Sequence, residues 1–177
     1  MTASFAVQIK EEIVRNDSLI KVFEWKKSEG GYLEKIYEYK GKKLPDYKFK
    51  TLEKEKLGLS ELEGKPVFID LWFTSCSPCI AKFPELNKIA KKYKEEVHFV
   101  AITFDSSPEV EKLLEKQHLD FLHLIDARPF LEEIGQQLYP KYVLLDKSGK
   151  VVFINESFKS VEKKELTKVI DDALKSN

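Results

Sequence analysis

The sequence predicts an α/β domain, a sheet with helices on both faces. Three observations carry that expectation. Apolar runs rich in β-formers, notably Val67 to Phe73 and Val97 to Thr103, alternate with amphipathic helical patterns. Residues Tyr142 to Asp146 and Val151 to Asn155 flank Lys147-Ser148-Gly149-Lys150, a strong hairpin signal. The only two cysteines, Cys76 and Cys79, stand where the first apolar run passes into a helix.

Taken in order, residues 1 to about 42 differ in texture from the rest. Ala6, Ile9 and Ile13 have helical spacing, while Ile20 to Trp25 and Leu33 to Tyr39 read as strands on either side of Gly30-Gly31, giving a helix and a hairpin. Pro45-Asp46-Tyr47 marks a boundary, and Leu59 to Pro66 reads as a turn feeding the central strand. From Ser75 to Tyr93 the residues Ile80, Phe83, Leu86, Ala90 and Tyr93 share one helical face, with Pro84 expected to kink that helix. Ser106 to Glu109 is a helix start with a capping-box pattern, and Pro108 lies in its first turn. A short strand at Phe121 to Ile125, a helix at Pro129 to Gln137 and a closing helix at Val161 to Leu174 complete the pattern.

With 177 residues the chain makes one ordinary domain plus an appendage, and 42% hydrophobic against 34% charged composition allows both a core and a solvated surface. Thirty basic and thirty acidic residues cancel, so nothing points to nucleic acid or to a membrane surface. No apolar run approaches the roughly 20 residues a transmembrane helix needs. The N-terminus is charged too early to hold a signal-peptide apolar segment, which taken literally argues for the cytoplasm. Met1 is the sole methionine, which fits a start residue placed before a trimmed form, so the compartment stays open.

A cysteine at a strand-to-helix junction lies beside backbone N–H groups that lack intrahelical partners, and their partial positive charge favours the thiolate. A helix terminus supplies about 0.3–1 kcal/mol, under the roughly 1.4 kcal/mol of one pKa unit, so further depression needs specific hydrogen bonds. In a dithiol–disulfide exchange site Cys76, nearer the helix end, attacks, and Cys79, one turn on, resolves the mixed disulfide. Ser77-Pro78 between them fixes the backbone. The competing reading is zinc, with His118 and His123 as a second ligand pair. However, 38 residues separate Cys79 from His118, against roughly 12–15 in a compact finger. Haem attachment is excluded because Ile80 stands where its histidine is needed.

Asp70 interrupts an otherwise apolar strand. A buried carboxylate is costly without a partner or a task, and near Cys79 it would serve as a general base. An exposed aspartate paired with a lysine is the alternative. Pro140, ahead of a core strand, is either a plain strand start or a cis peptide.

Together these residues resemble the thioredoxin superfamily. Phe68-Ile69-Asp70-Leu71-Trp72-Phe73-Thr74-Ser75-Cys76-Ser77-Pro78-Cys79 matches its strand, buried acid, tryptophan and Cys-x-x-Cys. Pro84 matches its helix-kinking proline, and Tyr139-Pro140 with the hairpin after it matches its cis-proline loop. The extra helix and strand around 108–125, and the Lys43-Leu44-Pro45-Asp46 lead-in, are similar to TlpA-like extracytoplasmic oxidoreductases. The resemblance covers residues 43 to about 175. It implies a thioredoxin-like fold, a central mixed sheet flanked by helices, with an inserted helix–strand over 43–177 and an N-terminal extension at 1–42.

By that resemblance Cys76 is the nucleophile, Cys79 the resolving thiol and Asp70 the buried acid. Trp72, Pro78, Tyr139 and a cis Pro140 would line the client-binding surface. Protein disulfide clients and an upstream redox partner are implied, with no organic cofactor or metal beyond the dithiol. Location would be extracytoplasmic with the targeting segment trimmed. The expected activity is a protein disulfide reductase; a peroxiredoxin-like thiol peroxidase and a metal-binding or structural module are the rivals. Three departures stand out: Ser75 replaces a second tryptophan, Lys82 stands where cytochrome c maturation members commonly carry glutamate, and residues 1–42 match no named pattern.

Overall fold

The computed structural model describes residues 6–15, 18–26, 35–155 and 162–175. The chain divides into two compact units, Met1–Glu34 and Lys35–Asn177.

In the first unit β1 (Ala6–Arg15) and β2 (Ser18–Lys26) form an antiparallel pair, from Ala6 opposite Lys26 to Arg15 opposite Ser18, with a bulge between Ile9 and Glu11. The helix expected from Ala6, Ile9 and Ile13 is therefore a strand. Spacing over so short a segment also fits a half-apolar strand, and pairing with a neighbour decides between them. The signal passed over was Asn16-Asp17, two residues that tolerate turn conformations. The Gly30-Gly31 hairpin turn lies outside the described residues. Its expected second strand is instead a 3-10 helix over Lys35–Tyr39.

The second unit is built on seven strands. β3 (Lys48–Thr51) and β4 (Lys56–Gly58) were not foreseen; β5 (Val67–Leu71), β6 (His98–Ile102), β7 (Leu122–Ile125), β8 (Lys141–Leu145) and β9 (Val151–Ile154) fall where the apolar runs placed them. The order across the sheet is β4-β3-β7-β6-β5-β8-β9. β5, β6 and β7 run parallel, whereas β8 is antiparallel to β5 and β3 to β7. β5 is buried along its whole length, Asp70 included, as its otherwise apolar sequence requires.

The helices are α1 (Ser77–Ile80), α2 (Phe83–Tyr93), α3 (Ser107–Leu114), α4 (Arg128–Glu133) and α5 (Lys163–Lys175). Residues of α2, α3 and α5 cover one sheet face, where Phe68, Trp72, Phe83, Leu86, Tyr142 and Ile170 form a core. On the other face Val67, Ile69, Leu71 and Val143 meet α4 through Phe130, Leu131 and Ile134. Where one kinked helix was expected from residue 75 to 93, two occur. Pro84 has no N–H to offer the Ile80 carbonyl, and it becomes the first-turn proline of α2 instead. α3 begins as read, with Glu109 Oε2 accepting the Ser106 N–H at 2.9 Å. α4 is shorter than expected because Gly135, at φ +68°, turns the chain away against Lys35.

The second unit begins at Lys35, ahead of the expected residue 43. Ile36 is fully buried, the Tyr37 hydroxyl donates to the Asn155 carbonyl at 2.8 Å, and Lys40 bridges to Val151. The 3-10 helix thus belongs to the core of this unit.

Candidate active site

The C-terminal end of β5 delivers the chain to Cys76, whose N–H bonds the Phe73 carbonyl at 3.0 Å. Cys76 is the N-cap of α1, and its Sγ accepts the Cys79 N–H at 3.3 Å. The two cysteines form a disulfide, their Cα atoms 5.3 Å apart. Cys76 keeps 3% of its surface exposed and Cys79 none, so only Cys76 is open to a second molecule. Pro78 is exposed beside it. A thiolate at Cys76 would receive the Cys79 N–H in a charge-assisted bond, the local contribution that the short α1 needs beyond its dipole.

Asp70 is fully buried on the strand leading to this turn, and neither carboxylate oxygen has a hydrogen-bond partner. Burial raises its pKa to about 8. Its side chain shares the α2 face of the sheet with Phe68 and Trp72, two residues either side. Register places Asp70 opposite Tyr142 on β8 and Ala101 on β6, and Ala101 opposite His123 on β7. Tyr142, Asp70 and His123 thereby lie in one row across the sheet, with the apolar Ala101 between Asp70 and His123, on the face whose core holds the disulfide.

Trp72 has no exposed surface; it packs edge-on against Phe83 at 5.3 Å and His123 at 6.2 Å. Its contribution is to the floor of the site, since a side chain with no open surface touches no client. The Tyr139–Pro140 peptide is cis, and both residues are half-buried. Tyr139 joins Phe73 (5.2 Å) and Phe104 (6.2 Å), with Phe73 stacked on Phe104 at 5.6 Å. The Arg128 guanidinium lies 4.5 Å over the Phe104 ring. These rings tie together the loops after β5, after β6 and before β8.

Sequence reasoning missed Thr103 and Asp105. Asp105 Oδ2 accepts the Thr74 N–H at 2.5 Å and the Thr103 hydroxyl at 3.0 Å, while Thr103 Oγ1 accepts the Asp105 N–H at 3.1 Å. The available signal was an acidic residue just past the carboxyl end of a parallel strand, where α/β sheets place their functional loops. The histidines do not join the cysteines. His118 is exposed and pairs with Asp120 at 2.8 Å; His123 is buried, with Nε2 on the Leu119 carbonyl at 3.1 Å and burial lowering its pKa. Among the described residues no three His, Cys, Asp or Glu side chains converge on a metal-sized site.

This strand–disulfide–helix arrangement beneath a mixed sheet and beside a cis-proline loop defines a thioredoxin-fold thiol-disulfide oxidoreductase. The chain belongs to the Redoxin family, whose pattern matches residues 39–170. It is 31% identical over 135 residues to thioredoxin-like protein YneN of Bacillus subtilis, covering 74% of this chain and 78% of that protein. It is 35% identical over 115 residues to thiol-disulfide oxidoreductase ResA of Bacillus thuringiensis strain Al Hakam, covering 63% of this chain and 66% of that protein, just under two thirds of its length. A crystal structure from Chlorobium tepidum, assigned as a thiol:disulfide interchange protein DsbE, superposes with a TM-score of 0.69 at 29% identity, over 76% of this chain and 97% of that one.

Proposed function

We propose that the protein reduces disulfides in client proteins, with the Cys76–Cys79 pair as the only electron carrier it needs. In the reduced protein the Cys76 thiolate attacks a client disulfide, forming a mixed disulfide and releasing one client thiolate. Cys79 then attacks Cys76 Sγ, its proton passes to Asp70, and the second client thiolate leaves. An upstream dithiol donor resets the pair.

The observation that carries this reading is the buried, unpartnered Asp70 carboxylate on the face of the sheet that carries the disulfide. Once ionised, a carboxylate there opposes a second buried negative charge, which disfavours the thiolate form and makes the pair a better electron donor. Pro78, Tyr139 and Pro140 form the client edge, where the Tyr139 backbone would pair with an extended client segment beside Cys76.

An extracytoplasmic setting follows the TlpA-like resemblance; no helix among the described residues is long and apolar enough to cross a membrane. Residues 1–34, a unit of their own, serve in this reading as a partner-binding appendage. Their deletion with unchanged activity, oligomeric state and stability would remove that role.

The deciding experiment is the equilibrium reduction potential of the pair in dithiothreitol or glutathione buffers. A value near the thioredoxin end, about −270 mV, is expected for a reductase; one near about −120 mV assigns a disulfide donor and overturns the direction.

A further inference from the structure

A base sealed in the core must lose its proton to solvent on every turnover, and Asp70 has no exposed surface through which to do so. Seven buried side-chain polar atoms among the described residues have no hydrogen bond: both Asp70 oxygens, Trp72 Nε1, Glu85 Oε1, His123 Nδ1, Gln136 Oε1 and the Tyr142 hydroxyl. All but the Gln136 oxygen belong to the α2 side of the sheet or to α2 itself. Scattered orphans are packing accidents. Several on one face are what a hydrated polar channel requires, because buried polar atoms without protein partners are met by ordered water.

Two directions lead away from Asp70 along the row. Towards β7 the row ends at His123, which is 7% exposed with Nε2 held by the Leu119 carbonyl, and offers no exit. Towards β8 it reaches Tyr142 directly opposite, 2% exposed and stacked on Phe68 at 5.7 Å. Glu85, in the first turn of α2, which packs on this face, has a buried Oε1 while its side chain as a whole is 32% exposed, and Oε1 lies 3.6 Å from Lys82 Nζ. It alone of the set reaches from the buried interior to the surface.

We propose that Tyr142 and Glu85 are positioning residues of a water-bridged path that carries the proton from Asp70 to solvent. This rests on Asp70 acting as the base for Cys79. Asp70 is protonated below about pH 8. It must therefore first give its proton towards the Tyr142 oxygen as the Tyr142 proton moves to the Glu85 carboxylate, which releases it to water past Lys82. Cys79 then attacks Cys76 Sγ, the Cys76–client sulfur bond breaks, the client leaves as thiolate and the Cys79 proton moves to the ionised Asp70. Asp70 ends protonated and Tyr142 neutral, and the path must empty Asp70 again before the next resolution. Burial first, then the carboxyls of Asp70 and Glu85, push the Tyr142 hydroxyl above its ordinary range, so the transfer is concerted and no phenolate forms. The charged groups facing Tyr142 are these two carboxyls, with Lys82 behind Glu85.

The test is a single-turnover reaction of the reduced full chain with dithiobis(nitrobenzoate). Attack by Cys76 releases the first thionitrobenzoate and resolution by Cys79 the second. In Tyr142→Phe and in Glu85→Gln the second release is expected to slow about tenfold at neutral pH, within the range of lost proton transfer, while the first is unchanged. Glu85→Asp recovers most of the rate, and the double variant is no slower than either single one. A second phase like that of the parent in Glu85→Gln, or both phases slowing together, overturns the proposal. Glu85 is partly exposed, so its variant decides the matter even if Tyr142→Phe does not fold. Asp70→Asn, run alongside, separates the two ideas: if it too leaves the second phase unchanged, the base itself is refuted. If only Asp70→Asn slows it, the base stands and the path falls.

Discussion

The carboxylate of Asp105 accepts the backbone N–H of Thr74 at 2.5 Å, tying the loop that precedes Cys76 to the end of the neighbouring strand β6. The same oxygen receives the Thr103 hydroxyl, so the carboxylate is itself fixed. The turn that presents the nucleophile is thus held from the side by a charged acceptor as well as by its own helix.

Replacing Asp105 with alanine leaves that N–H without its acceptor. A hydrogen bond to a charged group contributes about 1.5–3 kcal/mol, and a loss of that order is expected in urea denaturation of the oxidised protein. An unchanged midpoint would show that the loop is held by its other contacts.

Asp70 makes stability depend on pH in a direction opposite to most acids. Its folded pKa, about 8, lies above the ordinary 3.8, so the native state binds the extra proton between those values. Its contribution is complete below pH 4, declines as pH rises and is lost by about pH 8. With about 1.4 kcal/mol per unit the full swing is at most about 5–6 kcal/mol, a ceiling that water reaching the carboxylate lowers. Asp70→Asn should unfold at higher temperature than the parent at pH 8 and converge with it near pH 4. Parallel curves for the two proteins would mean that Asp70 does not titrate in this window.

Resolution by Cys79 has a direct chemical signature. Cys79→Ser should accumulate a one-to-one mixed disulfide with a client peptide, visible by mass spectrometry. Cys76→Ser should form none, because Cys79 has no exposed surface. Adduct formation by Cys79 alone would reverse the assignment.

Lys141, next to the cis-proline, is fully buried, with Nζ 3.0 Å from the Tyr37 hydroxyl and 4.8 Å over its ring. Tyr37→Phe keeps the ring and removes one acceptor of Lys141 and the donor to the Asn155 carbonyl. A cost of about 0.5–1.5 kcal/mol is expected in denaturant titrations, the range for losing an intramolecular hydrogen bond. A neutral result would mean that the other contacts of Lys141 suffice to accommodate the charge.

Much of the second unit was legible because its signals are local. β5 is an apolar run, α3 carries its own capping box, and the β8–β9 hairpin has Gly149 at φ +80° where the turn demands it. Cys76, Cys79, Asp70 and Pro140 were singled out through spacing and resemblance together. β3 and β4 were missed because Lys48, Lys50 and Lys56 give them a charged, exposed side that hides the half-buried pattern typical of outer strands. Asp105, Tyr142 and Glu85 were missed for a different reason. Each acquires its meaning only when register or folding brings it beside a residue far away in sequence, as Asp105 meets Thr74 and Tyr142 meets Asp70.

Trp72, sealed into the core cluster that also holds Cys76 and Cys79, has an optical consequence. A disulfide quenches a nearby excited indole, and the chain holds one other tryptophan, Trp25. In a Trp25→Phe background the emission of Trp72 should brighten when the pair is reduced. The protein would then report its own redox state, and its exchange with clients could be timed without any label.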